Sequence, residues 1–465
     1  MAEFTYPKDY KFYEAITSLD GRFRGNIEHL AKYFSEKSTI QKRLFIEIEY
    51  LLALNQIQEF TNINAKQESE IRNIYKNITN KDIEKIINID LEINHDTKAI
   101  EYFIRQKLHD INLEQLSPLI HFGLTSADID NNVQSLILSE FLKEIYLPQL
   151  EKIIENLKNL ATQTRSSMMI ARTHGQMAVP TTMGKELINF VMRIQTLKDD
   201  LSGIKIEGKL TGAVGNFNAL HFANPGVDWL EFSGKFLIKL GLKPNLFTTQ
   251  ILPYDNYLKI FSNIKLINLV LIALSQDIWR YISDNYFVVK VSGKEIGSST
   301  MPQKVNPIDF EMAESYLMLA NSIFNMFESK LPSSRLQRDL VDKYMIREAG
   351  LTFGSITLAY ESISTGLKKL SFNDKFAKEE LLQHWEVVSE GIQTMLRTLG
   401  DEKAYEKLKK LTRGKKITEE IISEFIKSLK LKPKEEKKLL NLSPLNYIGL
   451  SKDLVDLALS KKTDK

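Results

Sequence analysis

Residues 256–290 read NYLKIFSNIKLINLVLIALSQDIWRYISDNYFVVK, and their spacing decides the fold class. Ile260, Ile264, Ile267, Leu271, Leu274 and Ile278 recur at three- and four-residue steps, which is one stripe of a helix. Apolar side chains fill much of the remaining circumference as well. A long helix that is apolar on most sides is buried among other helices, those of other subunits included. Outward from it the same period recurs. Residues 134–166 place Ile137, Leu138, Leu142, Ile145, Leu150, Ile153, Ile154, Leu157 and Leu160 mostly three or four apart. Further long helices are expected over 181–204, 307–330 and 343–368, and no alternation of strands and helices suggests a parallel sheet. The expectation is an all-α protein. Soft breaks at 112–118 and 370–375 divide it into an N-terminal mixed helical domain (1–112), a central long-helix domain (113–368) and a small C-terminal helical domain (369–465).

The 465 residues are 43% hydrophobic and 26% charged, as in an ordinary globular protein. A net charge of +3 gives no reason to expect nucleic acid or a membrane surface as partner. The lysine runs near the C-terminus, KLKKLTRGKK and LKPKEEKKLL, are interleaved with glutamates on amphipathic helices and read as solvated faces. Cysteine is absent, which excludes disulfides, thiolate metal sites and a cysteine nucleophile. The opening MAEFTYPKDYKFYEAI lacks the basic-then-apolar pattern of a secretory leader, and no stretch reads as long and uncharged enough to span a bilayer. A cytoplasmic location is expected.

Five polar patches stand apart from the apolar periodicity. Residues 297–311, GSSTMPQKVNPIDFE, combine hydroxyls and a lysine in a loop that runs into a helix. Asn306 suits the N-cap, Pro307 the first helical position and Asp309 the positive end of the helix dipole, so the stretch is a plausible anion site. The others are Asp20-Gly21-Arg22-Phe23, Asn94-His95-Asp96, the run His121 to Asp128 (HFGLTSAD), and Arg172-Thr173-His174-Gly175-Gln176. Thr125 or Ser126 is expected to cap the next helix. His174, beside a glycine and amid hydrogen-bonding residues, is a general-acid candidate.

Together these patches resemble the adenylosuccinate lyase family, in its bacterial-type branch, within the fumarase/aspartase superfamily. The matching strings are TSLDGRF, INHDTKAIEYF, HFGLTSADIDNN, ARTHGQ, GKLTGAVGNFNA, FTTQILPYD, GSSTMPQKVNPIDFE, SRLQRDL, HWEVVSEGIQTMLR and YEKLKKLTRGK, in order from about residue 15 to 450. The serine loop alone marks only the superfamily; INHDTKAIEYF, GAVGNFNA and the LTRGK block point to the family. A sibling lyase acting on argininosuccinate, aspartate or malate would share the loop but not those blocks. A non-catalytic protein on the same fold would have no need of both His174 and Ser298.

The resemblance implies a three-domain fold whose central helices join in a homotetramer, with sites shared between chains. It also implies a metal-free and cofactor-free elimination of fumarate from adenylosuccinate, giving AMP, and from succinyl-aminoimidazole-carboxamide ribotide (SAICAR), giving AICAR. The signature loop, 293–307, would supply Ser298 as general base and His174 would act as general acid, on opposite faces of the succinyl unit. Glu311 would orient His174, and His95 would lie near the substrate. Lys304 and Asn306 would stabilise the carbanion, and Thr125 and Ser126 would hold a carboxylate. Arg22, Arg338 and Arg347 would grip phosphate and nucleotide, with Phe23, Asn94, Asp96, His121, Gln250, Ser299 and Val305 as further substrate contacts. Lys343 stands where a small hydroxyl residue is usual and is expected to bring a charge to the phosphate. Met312 replaces a polar residue and is given no role.

Overall fold

The computed structural model describes residues 11–55, 57, 62–290, 301, 304–414 and 416–460. Ser298, Ser299 and most of the loop 293–307 lie outside them. The described chain is helical almost throughout, with three two-stranded pairings as its only sheets. It forms two compact units. One comprises Met1–Gln149, Lys198–Leu266 and Tyr316–Leu358; the other comprises Leu150–Leu197, Ile267–Ser315 and Ala359–Lys465.

In the first unit, Ser35, Asn64, Thr79 and His95 each cap a helix by accepting a backbone N–H from the first turn. The helices so started, Glu36–Leu54, Ala65–Lys76, Asn80–Ile93 and Asp96–Asp110, bury Leu44, Ile48, Leu51, Ile71, Ile86, Ile100 and Phe103 in one cluster. A second cluster is aromatic and centres on Phe353. Its ring lies 4.7 Å from that of Phe141, 5.5 Å from Phe34, 6.0 Å from Phe324 and 6.2 Å from Phe261. In the second unit, Trp385, Val388, Ile392, Leu408, Ile417, Ile422 and Ile426 form a separate C-terminal core.

The long helices fall where the period places them: Ser126–Phe141, a π-helical turn Leu142–Tyr146, Leu147–Gln163, Met183–Ser202, Asp255–Ser283, Ile308–Lys330 and Ala349–Lys369. Several boundaries differ from expectation, among them the start of the helix expected at 181, where Thr181 and Thr182 still belong to a strand. The helix beginning at Asp255 stops at Ser283, because Asn285 adopts a left-handed conformation (φ 63°) and Phe287–Val289 then pairs antiparallel with Leu370–Phe372. The segment 343–368 is interrupted: a short helix Val341–Ile346 precedes the long one. Helix Ile308–Lys330 begins one residue late for the cap assigned to Asn306, since the Pro307 carbonyl already accepts from the Phe310 N–H.

Helix Asp255–Ser283 also corrects the reading of hydropathy. One 18-residue window has a mean hydropathy of 1.6, enough by length and composition to cross a membrane. Its polar residues have partners within the fold, however: Lys265 and Ser262 both bind Glu328, and Asn268 accepts the Tyr360 hydroxyl at 3.1 Å. More than half of the window, 56%, is buried inside the fold, as in the core helix of a globular bundle.

Phe353→Ala should remove the ring on which four others pack and lower unfolding free energy by about 3–5 kcal/mol, read as a shift in the urea midpoint.

Candidate active site

In the first unit, helix Ser126–Phe141 starts where the Asp128 carboxylate turns back to accept the Thr125 N–H at 2.9 Å. The same carboxylate does much more. Its Oδ1 accepts the backbone N–H of Thr211 at 2.9 Å and of Gly212 at 3.3 Å, and lies 2.8 Å from Lys209 Nζ. Both charged side chains are fully buried. Lys209 gives its remaining protons to the carbonyls of Gln250 (2.6 Å) and Gly212 (3.3 Å), so all three N–H bonds of the ammonium are used. Burial pulls the Lys209 pKa below its ordinary value against the attraction of Asp128. Asn132 closes the network by bonding both the N–H and the carbonyl of Lys209. At Gly215 (φ 86°) a Cβ would stand 2.1 Å from the Thr248 carbonyl, so only glycine allows the two loops to approach. The pair thereby ties together the segments that carry Thr125, Ser126 and Gln250. Gln250 turns its side-chain amide onto the Ala213 carbonyl at 3.1 Å.

A second charged cluster surrounds Asp96. Its carboxylate meets Arg43 and Lys343 at 2.8 Å each and Arg347 at 3.4 Å, and Arg43 also holds Asp130 at 2.8 Å. Lys343 lies 3.6 Å from Asp130. Three cations therefore face these two carboxylates, and the carboxyl of Asp90 and, beside Arg43, that of Glu36 act on the same cations. Burial favours a neutral Asp96, but Arg43 and Lys343 outweigh it and hold the carboxyl far below the usual range. Lys343, expected to face a phosphate, is thus already engaged by two acids. Arg338 forks one nitrogen onto Asp342 (2.8 and 2.7 Å), whose other partner is the Tyr254 hydroxyl at 2.8 Å. Arg22 is exposed and lies over the Phe23 ring, which packs edge-on against Tyr316.

Two histidines of this unit have defined hydrogen bonds. His95 caps helix Asp96–Asp110 by accepting the Lys98 N–H on Nδ1 at 3.1 Å. That bond leaves Nε2 of the exposed ring as the site of the proton, a donor available to a ligand. His121 Nδ1 lies 2.6 Å from Glu47. Burial lowers the His121 pKa, but the bond to Glu47 and the charges of Glu47, Glu101 and Asp128 overcome it and raise the value. Asn94 ends its helix in a left-handed conformation (φ 54°), and His121 shares that region (φ 57°).

In the second unit, strands Met168–Thr173 and Gln176–Thr182 make an antiparallel hairpin. His174 and Gly175 form its two-residue turn with φ of 53° and 71°, and the imidazole is exposed at the tip. Glu311, expected to orient His174, instead accepts the Trp279 indole N–H at 3.1 Å. Lys304, Val305 and Asn306 lead into helix Ile308–Lys330, with Lys304 and Val305 exposed. Among the described residues, no group of three or more His, Asp or Glu side chains is placed to hold a metal ion.

Sequence reasoning passed over Lys209, Arg43, Asp130 and Glu47, and gave Asp128, within the His121 to Asp128 patch, no role of its own. The one available signal was a lysine inside the glycine-rich apolar run GKLTGAVG, where a charge needs a buried partner.

Two family models match the chain in tandem, "Lyase" over residues 21–322 and "Adenylosuccinate lyase C-terminal" over residues 334–448. Adenylosuccinate lyase of Dictyostelium discoideum is 44% identical over 452 residues, covering 94% of this chain and 97% of its own length. That of Escherichia coli (strain K12) is 40% identical over 446 residues, covering 95% and 98%. Among solved structures, a fumarate lyase from Mesorhizobium sp. BNC1 superposes with a TM-score of 0.76 at 16% identity, over 94% of this chain and 98% of its own. A β-carboxy-cis,cis-muconate cycloisomerase from Acinetobacter calcoaceticus does so at 0.72 and 17%, over 93% and 97%. These two likenesses speak to the fold.

Lys209→Met should leave Asp128 buried without a counter-ion and cost about 3–5 kcal/mol in urea denaturation, far more than a surface lysine substitution. His121 gives a pH signature of opposite hand to a buried carboxylate. Its raised pKa stabilises the fold fully below the ordinary histidine value of 6.5, and the contribution is lost as pH rises through the folded-state value. Denaturation midpoints followed upward from pH 6 should fall accordingly, and Glu47→Gln should flatten that fall.

Proposed function

The chain belongs to the adenylosuccinate lyase family, and from that premise we propose that it eliminates fumarate from adenylosuccinate to give AMP, with Ser298 as general base and His174 as general acid. SAICAR loses fumarate by the same chemistry, so both purine substrates fall within the proposal. The observation that carries it is identity of 40–44% along nearly the whole chain, and this chain has both a histidine at the hairpin tip and the serine loop that the proposal needs.

The reaction removes a proton from the carbon beside a carboxylate and protonates the departing nitrogen from the opposite face. His174 suits the acid's task because its exposed imidazole is carried on a rigid two-residue turn. Ser298 requires cationic help to act as an alkoxide, and Lys304, in the same loop, is the candidate to give it. The intermediate carries two negative charges on one carboxylate. Lys304 and Asn306 would stabilise it, while Thr125 and Ser126, at a helix start, hold the other carboxylate. The cations Arg43, Lys343 and Arg347, with Arg338 and Arg22, supply the field for the phosphate. His95 contributes its Nε2 proton, and Gln250 its amide.

Site sharing in a homotetramer fits two features. His174 has no hydrogen-bonding partner among the described residues, so it stands ready for a group of another chain. Leu266, Leu269, Met318, Leu319 and Met326 are exposed on the long helices, an apolar surface suited to burial against further copies of the chain. A cytoplasmic location accords with a purine substrate made inside the cell.

Purified protein should release fumarate from adenylosuccinate and not from argininosuccinate, aspartate or malate; absence of fumarate from adenylosuccinate would sink the assignment. His174→Ala and Ser298→Ala should each lose turnover by roughly 10²-fold or more. Mixing and reassembling the two mutant chains should restore activity.

A further inference from the structure

Glutamate 380 lies far from His174 in sequence, on helix Asp374–Leu382, yet it grips the hairpin that carries the imidazole. The hairpin register runs from Ile170↔Pro180 to Arg172↔Met177 with a shift between them, a bulge that bends the strand just before the turn. Thr173↔Gln176 then closes on His174 and Gly175, both at positive φ. Asparagine or glycine is the ordinary occupant of the first such position. A histidine there is held by its surroundings rather than by its own preference.

Those surroundings centre on Glu380. Its Oε1 accepts Arg172 Nη2 at 2.8 Å, and its Oε2 accepts the Tyr286 hydroxyl. Arg172 Nε faces Asp284 at 3.5 Å. The Tyr286 hydroxyl also lies 3.4 Å from the Ile170 carbonyl. One carboxylate thus reaches both ends of the register shift, Arg172 through its guanidinium and Ile170 through Tyr286. Tyr286 is itself fixed, buried and stacked on Phe372 with ring centroids 6.3 Å apart. The Glu380 side chain is only 12% exposed, so its charge needs Arg172.

We propose that Glu380, with Arg172 and Tyr286, forms a positioning clamp that fixes the bulge and hence the direction of His174 toward the leaving nitrogen. The inference rests on the reading of His174 as general acid and goes beyond it by assigning the residues that aim it. None of the three touches the substrate in this account. Their effect falls on proton delivery in the transition state, where a displacement of about 1 Å can cost as much as 10²-fold in rate. Substrate binding, carried by other segments, is left nearly unchanged.

The test is steady-state kinetics on the assembled full-length protein with adenylosuccinate. Glu380→Gln keeps the shape but removes the charge; Arg172→Lys keeps the charge but removes the fork. Each should lower kcat by roughly tenfold or more while KM moves by less than about twofold, with melting temperature and oligomeric state preserved. Glu379→Gln, on the exposed neighbour, should behave as the parent chain. Chain mixing gives a second readout that a loss of general stability would not produce. Glu380→Gln chains should recover activity when reassembled with Ser298→Ala chains but not with His174→Ala chains, because the first pair leaves intact a clamped His174 and the second leaves none. Unchanged kcat in both clamp variants, or rescue by His174→Ala chains, overturns the clamp. His174→Ala measured alongside separates the two claims. Full turnover there removes the general-acid reading and this inference with it, whereas an inactive His174→Ala beside a fully active Glu380→Gln overturns the clamp alone.

Discussion

The first unit depends on an ammonium and a carboxylate that never meet water. Lys209 and Asp128 are individually expensive to bury, and they are tolerable only because every donor and acceptor is used. That requirement has consequences beyond stability. To satisfy Lys209, the Gly212 and Gln250 carbonyls must converge on one nitrogen; to satisfy Asp128, the Thr125, Thr211 and Gly212 amides must converge on one carboxylate. Three loops distant in sequence have a single arrangement that meets all of these bonds. An apolar pair of the same volume could be as stable. It would not dictate where Thr125, Ser126 and Gln250 point.

Backbone strain is distributed in a related way. Asn94, His121 and His174, all in polar patches of the sequence, occupy the left-handed region. Such conformations are uncommon outside glycine, though Asn and His tolerate them better than most residues. Each sits where the chain reverses: the end of helix Asn80–Ile93, the entry to the Thr125 loop, and the hairpin tip. A reversal brings a side chain to the end of an element, where it can meet a ligand. At Asn94 and His174 the strain and the exposure of the side chain share one geometric cause.

What was legible in the sequence follows the range of the physics. Helices such as Asp255–Ser283 announce themselves because their signal is a local period sustained over many residues. The hairpin 168–182 did not, because a two-residue turn occupied by His-Gly lacks the usual Asn-Gly mark and its strands are short. Helix ends were misplaced by a few residues where a single left-handed Asn285 or a proline decided them. Site residues were recognisable by resemblance, but their partners were not. Nothing local to Asp96 predicts that Arg43, Lys343 and Arg347 gather on it, or that Trp279 takes Glu311. Electrostatic partnerships are long-range in sequence, and so are invisible to periodicity and spacing.

Lys343 illustrates how far such a partnership alters the meaning of one residue. Considered alone, a lysine where a small hydroxyl is usual adds a full charge to an anion site. Within the cluster it arrives beside Asp96 and Asp130, so much of that charge is already compensated. Without Lys343, the two carboxylates would face Arg43 and Arg347 only. The lysine thus supports the two acids as they order Arg43 and the start of helix Asp96–Asp110. His95, as the cap of that helix, takes its orientation from the same group. A change in charge at residue 343 thus acts on the electrostatics of this cluster and on the placement of His95 together.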